Sequence, residues 1–234
     1  MCNIIYDTNP MLELRNISKQ YGNVAILNHA NLLISQGTST AIIGASGTGK
    51  TTLLNIASLL DIPTSGEVYY FGEKICQEHY TQNRKKFISF VYQQHNLMPE
   101  FTVLENISII AKMKGVYSEE LTLHLLEKIG IIEHKNKKPS ELSGGQKQRA
   151  SIVRAIACKP QILFADEPTG NLDPQAAEVS SNLLISLAQE QNIAVFLITH
   201  NMEIAKKCNR ILQIHEHKLT EVNNEQQPRT TGRS

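Results

Sequence analysis

Thr40-Ala41-Ile42-Ile43 runs directly into Gly44-Ala45-Ser46-Gly47-Thr48-Gly49-Lys50-Thr51, and Thr52-Leu53-Leu54-Asn55-Ile56-Ala57 follows. The first four residues suit a buried parallel strand, the middle eight match the phosphate-cradling pattern G-x-x-x-x-G-K-[ST], and the last six continue as a helix. Strand, loop and helix are the setting such a loop requires. Its glycines let backbone N–H groups converge on phosphate oxygens, Lys50 reaches the β/γ-phosphates, and the Thr51 hydroxyl is available for Mg²⁺. The stretch predicts an α/β chain that binds a nucleoside triphosphate. GTPases, kinases and ATPases all share the loop, so further residues must narrow the chemistry.

Working outward, Gln161-Ile162-Leu163-Phe164-Ala165 reads as a second buried strand that delivers Asp166 and Glu167 to its carboxyl end, where open α/β sheets place their ligands. Asp166 is expected to hold Mg²⁺ through water, because a hard cation that keeps part of its shell needs only one or two protein oxygens. Glu167 is then the general base that polarises or orients the attacking water. A third run, Ala194-Val195-Phe196-Leu197-Ile198-Thr199, ends in His200, whose imidazole can bridge phosphate and water. The other seven histidines, including His95 and His134, are expected to have surface or packing roles. Ile88-Ser89-Phe90-Val91-Tyr92 leads into Gln93, whose amide could coordinate Mg²⁺ or water; Gln94 is an equally polar competitor on residue chemistry alone.

Leu142-Ser143-Gly144-Gly145-Gln146 is the second informative stretch. Ser143 and Gln146 have the S-x-x-Q spacing of a capping box, Ile152, Val153 and Ile156 supply a buried helix face, and Pro160 follows the end. A helix N-terminus presents unpaired N–H donors and partial positive charge, so it too attracts phosphate. Two glycines in a first turn cost roughly 1 kcal/mol each, which points to close backbone approach by a ligand. The two motifs together predict that the chain engages ATP twice and completes neither site alone.

The set resembles an ATP-binding cassette (ABC) ATPase, with six motifs in order over nearly the whole chain. Leu142 to Gln146 carry that family's signature motif intact. By the same resemblance Tyr21 takes the position of the aromatic residue that stacks on adenine, and Gln93, rather than Gln94, that of the Q-loop glutamine. Asp166-Glu167 correspond to the Walker B acid and catalytic glutamate, Gly170-Asn171-Leu172-Asp173 to the D-loop, and His200 to the switch histidine. The resemblance implies a P-loop NTPase with a RecA-like parallel sheet core, an antiparallel β lobe and a helical signature subdomain, and a head-to-tail homodimer. In such a dimer each ATP lies between Lys50 of one subunit and Ser143 to Gln146 of the other. No arginine is placed to act as a finger in cis, so the positive end of a partner's helix can supply transition-state charge instead.

The family resemblance also implies integral membrane permease subunits as partners. The stretch His95-Asn96-Leu97-Met98-Pro99-Glu100-Phe101-Thr102-Val103-Leu104-Glu105-Asn106 follows Gln93 and is expected to face them, with Leu97, Met98 and Phe101 as exposed apolar contacts. Together with Pro139-Ser140-Glu141 and Asp166 to Asp173, it is most similar to the lipoprotein-releasing branch; macrolide-exporter and cell-division ATPases are near relatives. On that reading the chain sits peripherally on the cytoplasmic face of a bacterial inner membrane, and lipoprotein cargo is met only through the membrane subunits. Two features depart from the pattern: Lys147-Gln148-Arg149 follow the signature, and the last hairpin, His215-Glu216-His217-Lys218, lacks a glycine turn.

Composition agrees. The 234 residues can bury a sizeable core, and the net charge of +1 gives no electrostatic footprint for nucleic acid. Cys2, Cys76, Cys158 and Cys208 show no metal or disulfide spacing. No apolar run approaches the ~20 residues that cross a bilayer, and the start lacks a secretion signal. Residues 1–222 are predicted to form one ATP-binding domain, with core and β lobe in 1–92 and 160–222 and a helical subdomain in 93–159. The polar residues 223–234 read as a flexible tail. Within this frame Met11 to Ile17, Asn31 to Ile34 and Gly66 to Gly72 are expected strands. Leu104 to Lys114 and Ser118 to Ile129 are expected helices, and a helix opened by Pro174 is predicted to turn Val179, Leu183 and Leu187 inward.

Overall fold

Continuous apolar runs bounded by polar turns build one sheet of this protein, and alternating runs build the other. The computed structural model describes residues 10–222, so the expected tail from Asn223 lies outside the described residues. In chain order the elements are β1 (Leu12–Tyr21), β2 (Val24–Ile34), β3 (Ser39–Ile43), α1 (Lys50–Ala57), β4 (Ser65–Tyr70), β5 (Glu73–Lys74), α2 (Tyr80–Phe87) and β6 (Ile88–Tyr92). Then come α3 (Val103–Met113), α4 (Glu119–Lys128), α5 (Gly144–Ala157), β7 (Ile162–Asp166), α6 (Pro174–Glu190), β8 (Ala194–Ile198), α7 (Met202–Ala205), β9 (Arg210–His215) and β10 (Lys218–Glu221).

The larger sheet has the order β10-β9-β3-β8-β7-β6, parallel except for the β9–β10 hairpin. Its central strands β3, β7 and β8 are largely buried on both faces, whereas the edge strand β10 is mostly exposed, and the pleat sorts side chains in alternation. Leu163, Ala165, Val195 and Leu197 join the core under α3 to α6, whereas Ile162, Phe164, Ala194, Phe196 and Ile198 join the core under α1 and the antiparallel sheet β2-β1-β4-β5. The ring centroids of Phe164 and Phe196 are 5.3 Å apart, and Phe164 has no solvent exposure. Phe164→Ala is therefore expected to lower unfolding free energy by about 3–5 kcal/mol, since the neighbouring strands cannot collapse into the void. Denaturant unfolding checks this; a loss below ~1 kcal/mol would mean that the two cores relax independently of this ring.

The local signals behave as their chemistry requires. Thr102 and Ser143 form reciprocal capping boxes with Glu105 and Gln146, Ser118 caps α4, and Asp173 caps α6 ahead of Pro174. Two expectations are corrected. Val179 is 44% exposed, and the inward face of α6 is Ala177, Ser180, Ser181, Leu184, Leu187 and Ala188, with Leu183 half-buried. The small hydroxyl residues Ser180 and Ser181 let α6 pack closely, so an apolar-only stripe chose the wrong phase.

The second correction concerns the segment after Gln93. Leu97 is half-buried and packed against the main core, Met98 is half-buried, and Phe101 is the one exposed apolar member of that trio. Buried Asn106 organises the loop: its Oδ1 accepts from Met98 N–H, and its Nδ2 donates to the carbonyls of Met98, Phe101 and Thr102. A polar side chain that satisfies four backbone groups orders this loop, and of its three expected apolar contacts only Phe101 is exposed. Cys76, Cys158 and Cys208 are free thiols. In the final hairpin Glu216 and His217 both have positive φ (48° and 64°), the geometry of a type I′ turn made without glycine.

Candidate functional site

Sheet order decides which sequence-distant residues meet. β3 lies beside β8, β8 beside β7 and β7 beside β6, all parallel, with Asp166 paired to Ile198 on one side and Tyr92 on the other. The phosphate loop after β3, Thr199 and His200 after β8, Asp166-Glu167 at the end of β7 and Gln93 after β6 therefore emerge along one edge, at the carboxyl ends of the strands.

The loop has the backbone its glycines permit. Gly44 (φ 151°) and Gly49 (φ 102°) adopt left-handed conformations; a Cβ at Gly44 would lie 2.9 Å from Thr48 Oγ1, and one at Gly49 2.9 Å from Ile26 Cγ2. Gly49 also caps α1, so the loop closes on a helix N-terminus. Thr48 Oγ1 donates to the Ala45 carbonyl, and Lys50 Nζ donates to the carbonyls of Gly44 and Ala45, both at 2.8 Å. The ammonium is thus folded into the loop, with carbonyl partners that phosphate oxygens can replace. A cavity of about 270 Å³ is lined here by Ser46, Gly47, Gly49, Lys50, Thr51 and Thr52, with Asp166 and Glu167 across from them. Complete small-molecule sites occupy roughly 300–1,000 Å³, so this cavity is at or below the lower end of that range.

Asp166 and Glu167 have distinct settings. Burial pushes the Asp166 carboxyl above its ordinary range and the neighbouring Glu167 charge adds to this, while the nearby Thr51 hydroxyl and Lys50 act in the opposite sense. A half-buried carboxylate beside a hydroxyl at a phosphate loop suits a hard cation such as Mg²⁺, which would relieve that desolvation. Glu167 has φ 45°, a left-handed conformation unusual for a residue with a Cβ, held by its N–H donating to the Ile198 carbonyl at 3.0 Å. Its Oε2 lies 2.8 Å from His200 Nδ1 and accepts from the His200 backbone N–H at 3.3 Å. The structure thus brings Glu167 and His200 into direct contact, and the pair faces solvent on the imidazole side.

Gln93 and Tyr21 stand apart from the cavity. The Gln93 carboxamide donates to Asn171 Oδ1 at 3.0 Å, beside the acid pair, and this contact distinguishes it from Gln94. Tyr21 is 51% exposed; its hydroxyl donates to Asp61 at 2.7 Å, and Lys19 Nζ sits 4.9 Å over the ring.

Ser143 to Gln146 lie elsewhere. None of these residues lines the phosphate cavity; Gly145 borders a separate open groove with Arg149, Asp173, Gln175 and Ala176. Ser143 N–H donates to Gln146 Oε1 at 2.8 Å and Ser143 Oγ accepts from Gln146 N–H at 3.3 Å. The Gln146 Nε2 then meets His134 Nε2 at 2.8 Å. A Gly145 Cβ would stand 3.4 Å from Ala176 Cβ and a Gly144 Cβ 3.6 Å from Leu172 Cδ2, ordinary contact distances, so packing within the chain does not itself require glycine at either position. Sequence reading missed the supports of this region. Fully buried Gln148 bonds His95 Nδ1, and Arg154 donates to the carbonyls of His95 and Asn96, fastening the segment after Gln93 to α5. The one hint was a run of polar residues on a helix that buries most of its surface.

A phosphate loop, an acid pair and a polar strand-end residue along one parallel sheet, with a capped serine-glycine helix start outside the cavity, define an ATP-binding cassette. The chain belongs to the ABC transporter family, whose profile matches residues 27–170. It is 41% identical to the lipoprotein-releasing system ATP-binding protein LolD of Rickettsia conorii over 221 residues, 92% of this chain and 99% of that protein. It is 40% identical to LolD 2 of Rhodopseudomonas palustris over 223 residues, 91% of this chain and 96% of that protein. Among solved structures, the dimeric post-hydrolysis state of the ATP-binding cassette MJ0796 bound to ADP and Pi superimposes with a TM-score of 0.78 at 36% identity, covering 91% of this chain and 98% of that one. The fold is therefore that of a P-loop ABC ATPase.

Proposed function

We propose that this chain is the ATP-hydrolysing subunit of a membrane complex that releases lipoproteins from a bacterial inner membrane. Identity of 40–41% across about nine-tenths of the chain to lipoprotein-releasing ATP-binding proteins carries this reading. Gly44 to Thr52 cradle the phosphates, Lys50 exchanges its carbonyl partners for β/γ-oxygens, and Tyr21 stacks on adenine over the open side. Thr51, Asp166 and Gln93 would hold Mg²⁺, directly or through water, and the cation would supply positive charge opposite the phosphate oxygens. Glu167 takes the proton of the attacking water, and His200 orients Glu167 and the γ-phosphate. Ser143 to Gln146 of a second copy roof the nucleotide, because their helix start lies outside the cavity of their own chain. ATP then favours the closed dimer and its products the open one, and that difference in binding is the source of work.

No helix among the described residues is long and apolar enough to cross a membrane, so the membrane step belongs to permease partners. A groove lined by Gln82, Lys85, Lys86, Ile110, Met113 and Lys114, with Met113 80% exposed, supports docking of such a partner better than the capped loop after Gln93 does. The test is affinity purification of the tagged chain from detergent-solubilised membranes, together with depletion in cells. An integral membrane partner is expected to co-purify, and outer-membrane lipoproteins to accumulate in the inner membrane on depletion; normal lipoprotein sorting after depletion would refute the cargo assignment.

A further inference from the structure

Gln93 and Asn171 are 78 residues apart in the chain and joined by two hydrogen bonds. Gln93 Nε2 donates to Asn171 Oδ1 at 3.0 Å, and Asn171 Nδ2 donates back to the Gln93 carbonyl at 3.4 Å. Gly170 provides the seat: a Cβ there would lie 2.8 Å from Gln93 Nε2 and 3.1 Å from its Cδ, so the carboxamide rests directly on the Gly170 backbone. Held in this way, Gln93 stands outside the cavity where Thr51 and Asp166 meet. The other end of the same short segment touches α5. Leu172 Cδ2 packs 3.6 Å from where a Gly144 Cβ would be, and Ala176 Cβ 3.4 Å from where a Gly145 Cβ would be. Residues 170 to 176 thus bear on Gln93 at one end and on the Ser143–Gln146 turn at the other.

We propose that Asn171 is a positioning residue: it holds the Gln93 carboxamide away from the metal position until the Ser143–Gln146 turn closes on a partner's nucleotide. This rests on the function proposed above, in which Gln93 serves the chain's own site and the turn serves the partner's. Closure presses on Leu172, the segment shifts, and the exposed Gln93–Asn171 pair opens. A net hydrogen bond at an exposed position is weak enough to be exchanged and strong enough to bias the carboxamide by roughly two- to tenfold. One site then acquires its last metal ligand only when the same subunit has roofed the other site.

The full chain carrying Ser143→Arg, which keeps its own phosphate loop and is expected to remain monomeric, is the parent for the test. With ATP saturating, Mn²⁺ affinity is read by electron paramagnetic resonance, a binding measurement independent of turnover. Asn171→Ala is expected to tighten Mn²⁺ by roughly two- to tenfold. Gly170→Ala, whose new Cβ fills the seat of the carboxamide, is expected to act in the same direction and provides a second route should Asn171→Ala fold poorly. In a Gln93→Ala background neither change is expected to alter the affinity, which separates an effect through Gln93 from a general loosening of the loop. Unchanged or weaker Mn²⁺ binding in either folded variant, or a gain that survives Gln93→Ala, overturns the proposal. Failure of the parent to bind ATP at all would instead overturn the assignment of the phosphate loop.

Discussion

Glu167→Gln is expected to bind ATP as the unsubstituted chain does and to lower the rate of phosphate release by about 10²- to 10⁴-fold. Glutamine has the same size and keeps the backbone N–H that donates to the Ile198 carbonyl, so the left-handed turn at this position survives. What it loses is the carboxylate oxygen now 2.8 Å from His200 Nδ1, at the edge of the phosphate cavity and distinct from the role given to Asp166. The Thr51–Asp166 pair and the loop glycines are untouched, so nucleotide affinity is retained. With hydrolysis stalled, ATP stays between the two subunits, and gel filtration is expected to show a nucleotide-dependent dimer. Undiminished phosphate release by this variant would remove Glu167 from the mechanism.

Mixing two inactive variants is expected to restore activity. Lys50→Ala removes the ammonium from the phosphate loop and leaves the Ser143–Gln146 turn intact. Ser143→Arg removes the cap that accepts from Gln146 N–H and places a bulky cation on the roofing face, yet leaves the phosphate cavity unaltered because Ser143 does not line it. Cap loss costs about 0.5–2 kcal/mol, which an exposed position on a well-packed helix tolerates. In a mixed dimer the Ser143→Arg subunit offers a sound phosphate loop to the sound turn of its Lys50→Ala partner, and the second site is broken twice. With random pairing, about one quarter of the sites become competent, half of the dimers carrying one good site of two. Steady-state phosphate release across mixing ratios checks this: a maximum at equal amounts supports sharing in trans, whereas no recovery at any ratio, or two working sites per mixed dimer, contradicts it.

Local chemistry was legible wherever a few consecutive residues suffice. Thr40 to Ala57 specify strand, loop and helix, because an apolar run, three glycines in register and a helix-forming continuation leave little alternative; Ser143 and Gln146 specify a capped helix start because their reciprocal bonds span only three residues. The acid pair after Ala165 was legible for the same reason. Helix α2 was not, since the polar run Tyr80 to Phe87 contains no buried residue and thus no apolar period to detect. The last hairpin was read at His215–Lys218, but not its turn geometry, in which Glu216 and His217 take the positive φ usually left to glycine or asparagine. The phase of α6 was misread at Val179 because serines, not aliphatics, fill part of its inward face.

The amino-acid order by itself determined the local elements of the class: the phosphate-loop pattern between a strand and a helix, the acids that end a core strand, and a capped serine-glycine helix start. Its reach ends where contacts depend on the order of strands in the sheet. That order, β3-β8-β7-β6, is set by the packing of whole faces and not by any local signal, and it alone places His200 against Glu167 and Gln93 against Asn171. The tertiary structure also decided that Ser143 to Gln146 lie away from the phosphate cavity of their own chain, since α5 is fixed by its buried face and by Gln148 and Arg154.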